Sequence, residues 1–299
     1  MMWSGRGMVA LLCAIAAAQG GNDGAALLER GFALAGQGNR EEAIGIYRRA
    51  LELNRRAHGE KHLLTLTNMN LLASAYLMNG NLAGAEPLVT EVISTARELY
   101  PQDIQLSEAL GSWSYILSRR GKLGEAESMA GEALALSLAI EGEDSINSAM
   151  MYANAGEIHR LEGQDARALP LFRKALAIYE KKLDPADPRI GSLLSQEGLI
   201  LMRDRQFTLA DRAMSRAVEL LRRSCPGCVT ENWIAESNLA LLRLAQNRYE
   251  EADRLFTHVL SLRETAEALR SLAIVREKER RHKDAVLLMK RANQLLAYQ

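Results

Sequence analysis

One phrase returns seven times along this chain: a turn residue, a small side chain five positions on, and another small side chain seven later. It reads Gly38…Ala43…Ala50, Gly80…Ala85…Val92, Gly121…Ala126…Ala133 and Gly163…Ala168…Ala175. Weaker copies follow at Arg205…Ala210…Ala217, Asn247…Ala252…Val259 and Arg280…Ala285…Ala292. The central alanines are separated by 42, 41, 42, 42, 42 and 33 residues. A period of this length marks an array of supersecondary units, none of which can bury its apolar face alone.

Inside each unit the apolar period is helical. Twelve residues before each central alanine stands a small residue: Gly31, Ala73, Ser114, Gly156, Gly198, Ala240 and Ala273. Four residues after it stands a larger one in six units (Tyr47, Val89, Phe172, Met214, Phe256, Met289), with Ala130 the exception. Small residues let two antiparallel helices approach closely, and the larger ones are expected to fill the groove between neighbouring pairs. Aromatics are only 5% of the chain, while Ala and Leu recur throughout, a composition that suits helix packing better than sheets. Gly38, Gly80, Gly121 and Gly163 fit a left-handed C-cap between the two helices. Asp187-Pro188 predicts an N-cap with proline at the first helical position, and Thr230 is read as a similar cap. Pro87 and Pro170, each two residues after a central alanine, are read as lying near a helix start, where a missing N–H costs little.

This small–small–large–small pattern resembles the tetratricopeptide repeat, and its 42-residue period is similar to the longer subtype found in kinesin light chains. AEPL (85–88), EEAD (250–253), SNLALL (237–242) and GEKH (59–62) are similar to that subtype's recurring phrases. The resemblance covers about residues 24–299 and implies an all-α, right-handed superhelical solenoid of about seven helix-turn-helix units. It also implies binding of a peptide or protein surface in a concave groove, without catalysis and without a cofactor. Carried over residue by residue, the groove positions are Asn70, Ser74, Met78, Tyr115, Arg119, Glu157, Arg160, Ser195, Leu199, Met202, Arg203, Ser237 and Leu241. Asn154 and Asn238 match the asparagine with which the subtype holds a peptide backbone; Ser112, Gln196 and Ser271 stand there in other units. The three arginines suit a partner with some acidic character.

The chain begins with one basic residue, Arg6, then an uncharged run from Met8 to Ala18 ending in Ala16-Ala17-Ala18. That order reads as a secretory signal peptide cleaved after Ala18, so residues 1–18 are expected to leave and the product to be periplasmic or secreted. A buried or anchoring N-terminal helix is the alternative. Cys13 raises a lipidation site, but Ala10-Leu11-Leu12 before it lacks the expected small residues. No later run approaches ~20 apolar residues, so no span is expected in the mature chain. Lys and Arg total 37 against 37 Asp and Glu, which leaves no basic excess for nucleic acid or anionic lipid.

Catalysis needs a constellation, and none is evident. His58 and His62 flank Glu60 in a loop rather than on a helix, so they are not read as a metal pair. His159 occupies a core-facing position and is read as a structural imidazole. Cys225-Pro226-Gly227-Cys228 is the sharp motif: after signal removal these are the only cysteines, and export favours a loop disulfide. Reduced or metal-bound thiols and a redox role stay open. The last unit offers a rival to groove binding. Leu287, Leu288, Leu295, Leu296 and Tyr298 exceed what one helix face can bury, which predicts self-association into a homo-oligomer through terminal faces.

Overall fold

The computed structural model describes residues 22–225 and 227–297, and the segment read as a signal peptide, residues 1–18, and Tyr298 lie outside them. Fourteen helices and no strand occur among the described residues. They run α1 (Asn22–Gly36), α2 (Arg40–His58), α3 (Leu63–Met78), α4 (Leu82–Leu99), α5 (Ile104–Arg119), α6 (Leu123–Glu141), α7 (Ile146–Leu161) and α8 (Asp165–Lys182). Then come α9 (Pro188–Arg203), α10 (Phe207–Ser224), α11 (Val229–Ala245), α12 (Tyr249–Leu262), α13 (Ala266–Lys278) and α14 (His282–Ala297). Each odd helix pairs with the even helix that follows. The pairs form two compact units, α1–α8 ending at Leu183 and α9–α14 beginning at Asp184.

Every pair turns the same way. The second residue after the first helix has positive φ in all seven: Gly38 (85°), Gly80 (76°), Gly121 (76°) and Gly163 (75°), then Arg205 (58°), Asn247 (60°) and Arg280 (62°). The next N–H reaches back to a carbonyl in the last turn, as from Asn81 to Tyr76 and from Arg281 to Arg276, both 2.8 Å. This closes the orphan carbonyls of the helix end.

The central alanines are all buried, at 0–5% exposure. Three of the larger residues, Tyr47, Phe172 and Met214, also cover the small residue of their own pair. A Cβ on Gly31 would lie 2.6 Å from Tyr47 Cε1, one on Gly156 2.9 Å from Phe172 Cδ1, and one on Gly198 2.5 Å from Met214 Cγ. Each glycine thus makes room for one large side chain inside the helix pair.

Helix starts follow side-chain chemistry. Asp187 accepts from Arg189 N (2.9 Å) with Pro188 opening α9, as the dipeptide predicts. Thr230 does not cap: Cys228, whose N–H donates to the Cys225 carbonyl (3.0 Å), takes the N-cap position, and Thr230 falls inside the first turn of α11. Pro87 and Pro170 lie in the second turns of α4 and α8, one turn deeper than expected, so each removes one intrahelical bond. No helix among the described residues is long and apolar enough to cross a membrane.

Candidate functional site

The candidate binding residues belong to the first helices, which pack on one another as an inner layer within each unit, α3 on α5 and α5 on α7, then α9 on α11. In the α1–α8 unit, Asn70 is 2% exposed and already committed: its Nδ2 donates to the Gln105 carbonyl (3.0 Å) and to Gln105 Oε1 (2.9 Å). Ser74, Met78 and Tyr115 are half-buried, and Arg119 is exposed. Glu157 and Arg160 form a two-pronged pair, with Nε and Nη2 donating at 2.7 and 2.6 Å. That bond holds the Arg160 guanidinium pKa up and neutralises one of the three cations expected to attract an acidic partner.

In the α9–α14 unit, Asn238 donates from Nδ2 to Ser195 Oγ (3.0 Å), and both are buried. Ser237 donates to the Trp233 carbonyl (2.7 Å). Leu199, Met202 and Leu241 are half-buried and Arg203 is exposed. Of the other residues in the asparagine register, Ser112 is buried and bonds back to the Glu108 carbonyl, while Gln196 and Ser271 are half-buried.

Asn154 stands in the register of Asn238 but has a different neighbour. The position matching Ser195 is Gly111, where a Cβ would lie 3.1 Å from Asn154 Nδ2. With no hydroxyl there, Asn154 Nδ2 is buried without a hydrogen-bond partner. An unmet buried donor costs about 1–3 kcal/mol. A half-turn of the carboxamide would aim its NH₂ outward and break no internal bond.

The remaining motifs are placed as follows. The His58 and His62 rings stack with centroids 4.8 Å apart, and His62 Nδ1 accepts from Leu64 N (3.2 Å), capping α3. Burial, then the proximity of His58, lowers the His62 pKa. Cys225 and Cys228 are 0% and 4% exposed, with sulfurs within bonding distance. Asn232 Nδ2 donates to both of their carbonyls, at 2.9 and 3.0 Å. Sequence reasoning missed a polar cluster in which Glu236, its side chain 1% exposed, accepts from Arg222 Nε (2.6 Å) and meets His258 Nδ1 (2.5 Å). Its partners lie on different helices, so no local pattern marks it.

The tetratricopeptide repeat profile matches residues 23–98 and 105–181, and a second profile of the same description matches residues 237–267. The chain belongs to the tetratricopeptide repeat family. Among solved structures it is similar to BtubC (BKLC) from P. vanneervenii, with 20% identity and TM-score 0.56 over 75% of this chain and 91% of that one. It is similar to a Rap protein complexed with competence and sporulation factor, with 16% identity and TM-score 0.65 over 93% of this chain and 76% of that one. It is also similar to Pseudomonas aeruginosa pilF, with 14% identity and TM-score 0.55 over 77% and 91%. Likeness at these identities is one of fold. Comparison with curated proteins gives no match.

Proposed function

We propose that this protein is an exported, non-catalytic adaptor that holds an extended segment of a protein partner against the inner layer of the α1–α8 unit. Asn154 carries the reading. Its carboxamide is the one in the asparagine register that lacks an internal acceptor, whereas Asn238 is engaged by Ser195. A backbone carbonyl of a bound peptide would supply that acceptor, with Ser74 and Arg119 of the same layer to meet its side chains. A preformed helical face loses little conformational entropy on binding, so modest contacts add up. The Rap protein of the same fold, complexed with competence and sporulation factor, supports the assignment. Export rests on Met1–Ala18, and in an oxidising compartment Cys225 and Cys228 would be held as a disulfide.

The test is capture of partners from an envelope or secreted extract by chain 19–299, beside Asn154→Ala and Asn238→Ala variants of matched helicity. The reading expects a protein retained by the parent and by Asn238→Ala but lost by Asn154→Ala. Equal retention by all three moves binding away from this face.

A second reading, self-association, has its own observation. Met289 and Leu296 are 41% and 45% exposed, whereas the residues in the same registers of the fifth pair, Met214 and Leu221, are fully buried. Val286 and Leu287 are exposed beside them at 67% and 65%. Leu288 does not belong to this surface, since it packs on the Leu272–Val275 cluster. Light scattering of Leu287→Glu/Leu296→Glu decides: a parent mass above the monomer that falls to the monomer supports the reading, and an unchanged mass rejects it.

A further inference from the structure

Three inter-repeat contacts share one register: the residue nine before a central alanine meets the residue one after the preceding central alanine. In two of them the pair is Arg and Asp. Arg243 Nη1 and Nη2 grip Asp211 at 2.6 and 2.8 Å, and Arg276 Nε donates to Asp253 at 2.9 Å. In the third, between α6 and α7, the pair is Glu127 and His159, and the contact does not close. His159 Nδ1 is 3.8 Å from Glu127 Oε1 and 3.6 Å from Glu162 Oε2, both beyond hydrogen-bond range.

His159 is 7% exposed, and its Nδ1 has no hydrogen-bond partner; the buried Glu162 Oε2 has none either. Two complementary groups, both desolvated and both unpaired, face one point. Ligand atoms of Glu127, His159 and Glu162 all lie within 4.8 Å of one another. Around a tetrahedral ion with bonds of about 2.1 Å, ligand atoms stand about 3.4 Å apart, close to both measured gaps. One imidazole nitrogen and two carboxylate oxygens form a donor set suited to zinc, with a remaining position for water.

We propose that Glu127, His159 and Glu162 bind a divalent transition metal, zinc by donor type, which pins α6 to α7 as the Arg–Asp pairs pin their own repeats. Arg167 is the built-in competitor: its Nη2 donates to Glu127 Oε1 at 3.0 Å while its Nη1 holds Gln164 Oε1 at 2.7 Å. Metal capture releases Glu127 from Arg167, whose side chain is 58% exposed and can turn to solvent.

The experiment is zinc titration of metal-stripped chain 19–299 by calorimetry and thermal melting, with cobalt absorption to report coordination. One zinc per chain and a melting temperature raised by about 5 °C at saturating zinc are expected. Glu162→Gln keeps the side-chain shape and should weaken zinc about tenfold or more. His159→Leu should abolish the site and still fold, because Leu34, Leu117 and Leu201 hold this register elsewhere. Arg167→Gln should tighten binding. His58→Gln/His62→Gln should change nothing. No zinc-dependent shift in the parent, or a shift that survives both Glu162→Gln and His159→Leu, overturns the proposal.

Discussion

The Phe172 ring lies directly over the α-carbon of Gly156, so that a methyl group there would come within 2.9 Å of Cδ1 and Cε1. Phe172 is 1% exposed and has no room to withdraw. Gly156→Ala gains about 1 kcal/mol of helix propensity and loses about 1–3 kcal/mol to overpacking, so net destabilisation of about 1 kcal/mol is expected. Adding Phe172→Leu should restore part of the loss that Gly156→Ala alone incurs. Gly45→Ala in α2 is the control, since nothing lies within 4 Å of its Cβ position, and it should stabilise. Urea midpoints of the variants check the signs.

The left-handed turn separates the two units by residue type. Gly80 has open space around its Cβ position, so Gly80→Ala costs conformational energy alone, about 1 kcal/mol. Arg205 and Arg280 hold the same conformation with a full side chain. Arg205→Gly and Arg280→Gly should each stabilise by about 0.5 kcal/mol, the relief of strain exceeding the extra freedom of the unfolded chain. Asn247→Gly should change little, because asparagine tolerates this region. Melting temperatures in that order check the assignment.

The architecture was legible because its determinants are local and repeated. The central alanines, the turn glycines and the Asp187-Pro188 start all lie within one period, where spacing alone locates them. Even Arg205, Asn247 and Arg280 keep the register, although no glycine marks them. What spacing does not reveal is partnership between repeats. Asn70 reads as a free groove amide until Gln105, 35 residues away, occupies it. Asn154 and Asn238 read alike in one dimension, yet Ser195 faces one and Gly111 the other. Thr230 fits a capping pattern, but the preceding turn fixes where α11 begins.

Asp211 supplies the pH dependence. Hydrogen bonds from Arg243, opposed by burial and aided by Ser215, lower its carboxyl pKa from 3.8 to about 2. A carboxyl depressed on folding stabilises the fold while it is ionised. Its contribution is therefore complete above about pH 4 and is lost as pH falls toward 2, in total about 2 kcal/mol. Asp211→Asn should lower stability at neutral pH and flatten the acid limb of the stability profile over that window. A melting series from pH 6 to about 2 reads both effects.

Asn154 and Asn238 should respond in opposite directions to one substitution. Leucine is tolerated in this register, where Leu71 stands half-buried in the second pair. Asn154→Leu removes a carboxamide that leaves one polar atom buried without a partner whichever way it is turned, so stability should rise by about 1 kcal/mol. Asn238→Leu breaks the bond to Ser195 and leaves its buried hydroxyl without that donor, so stability should fall by about 1 kcal/mol. Partner binding should follow the reverse order, lost in Asn154→Leu and kept in Asn238→Leu. A site that weakens the fold when empty and is repaired by removing its polar group is the expected signature of an amide held for a ligand. Melting and partner capture on the same two variants separate that case from a structural asparagine, for which Asn154→Leu would leave binding intact.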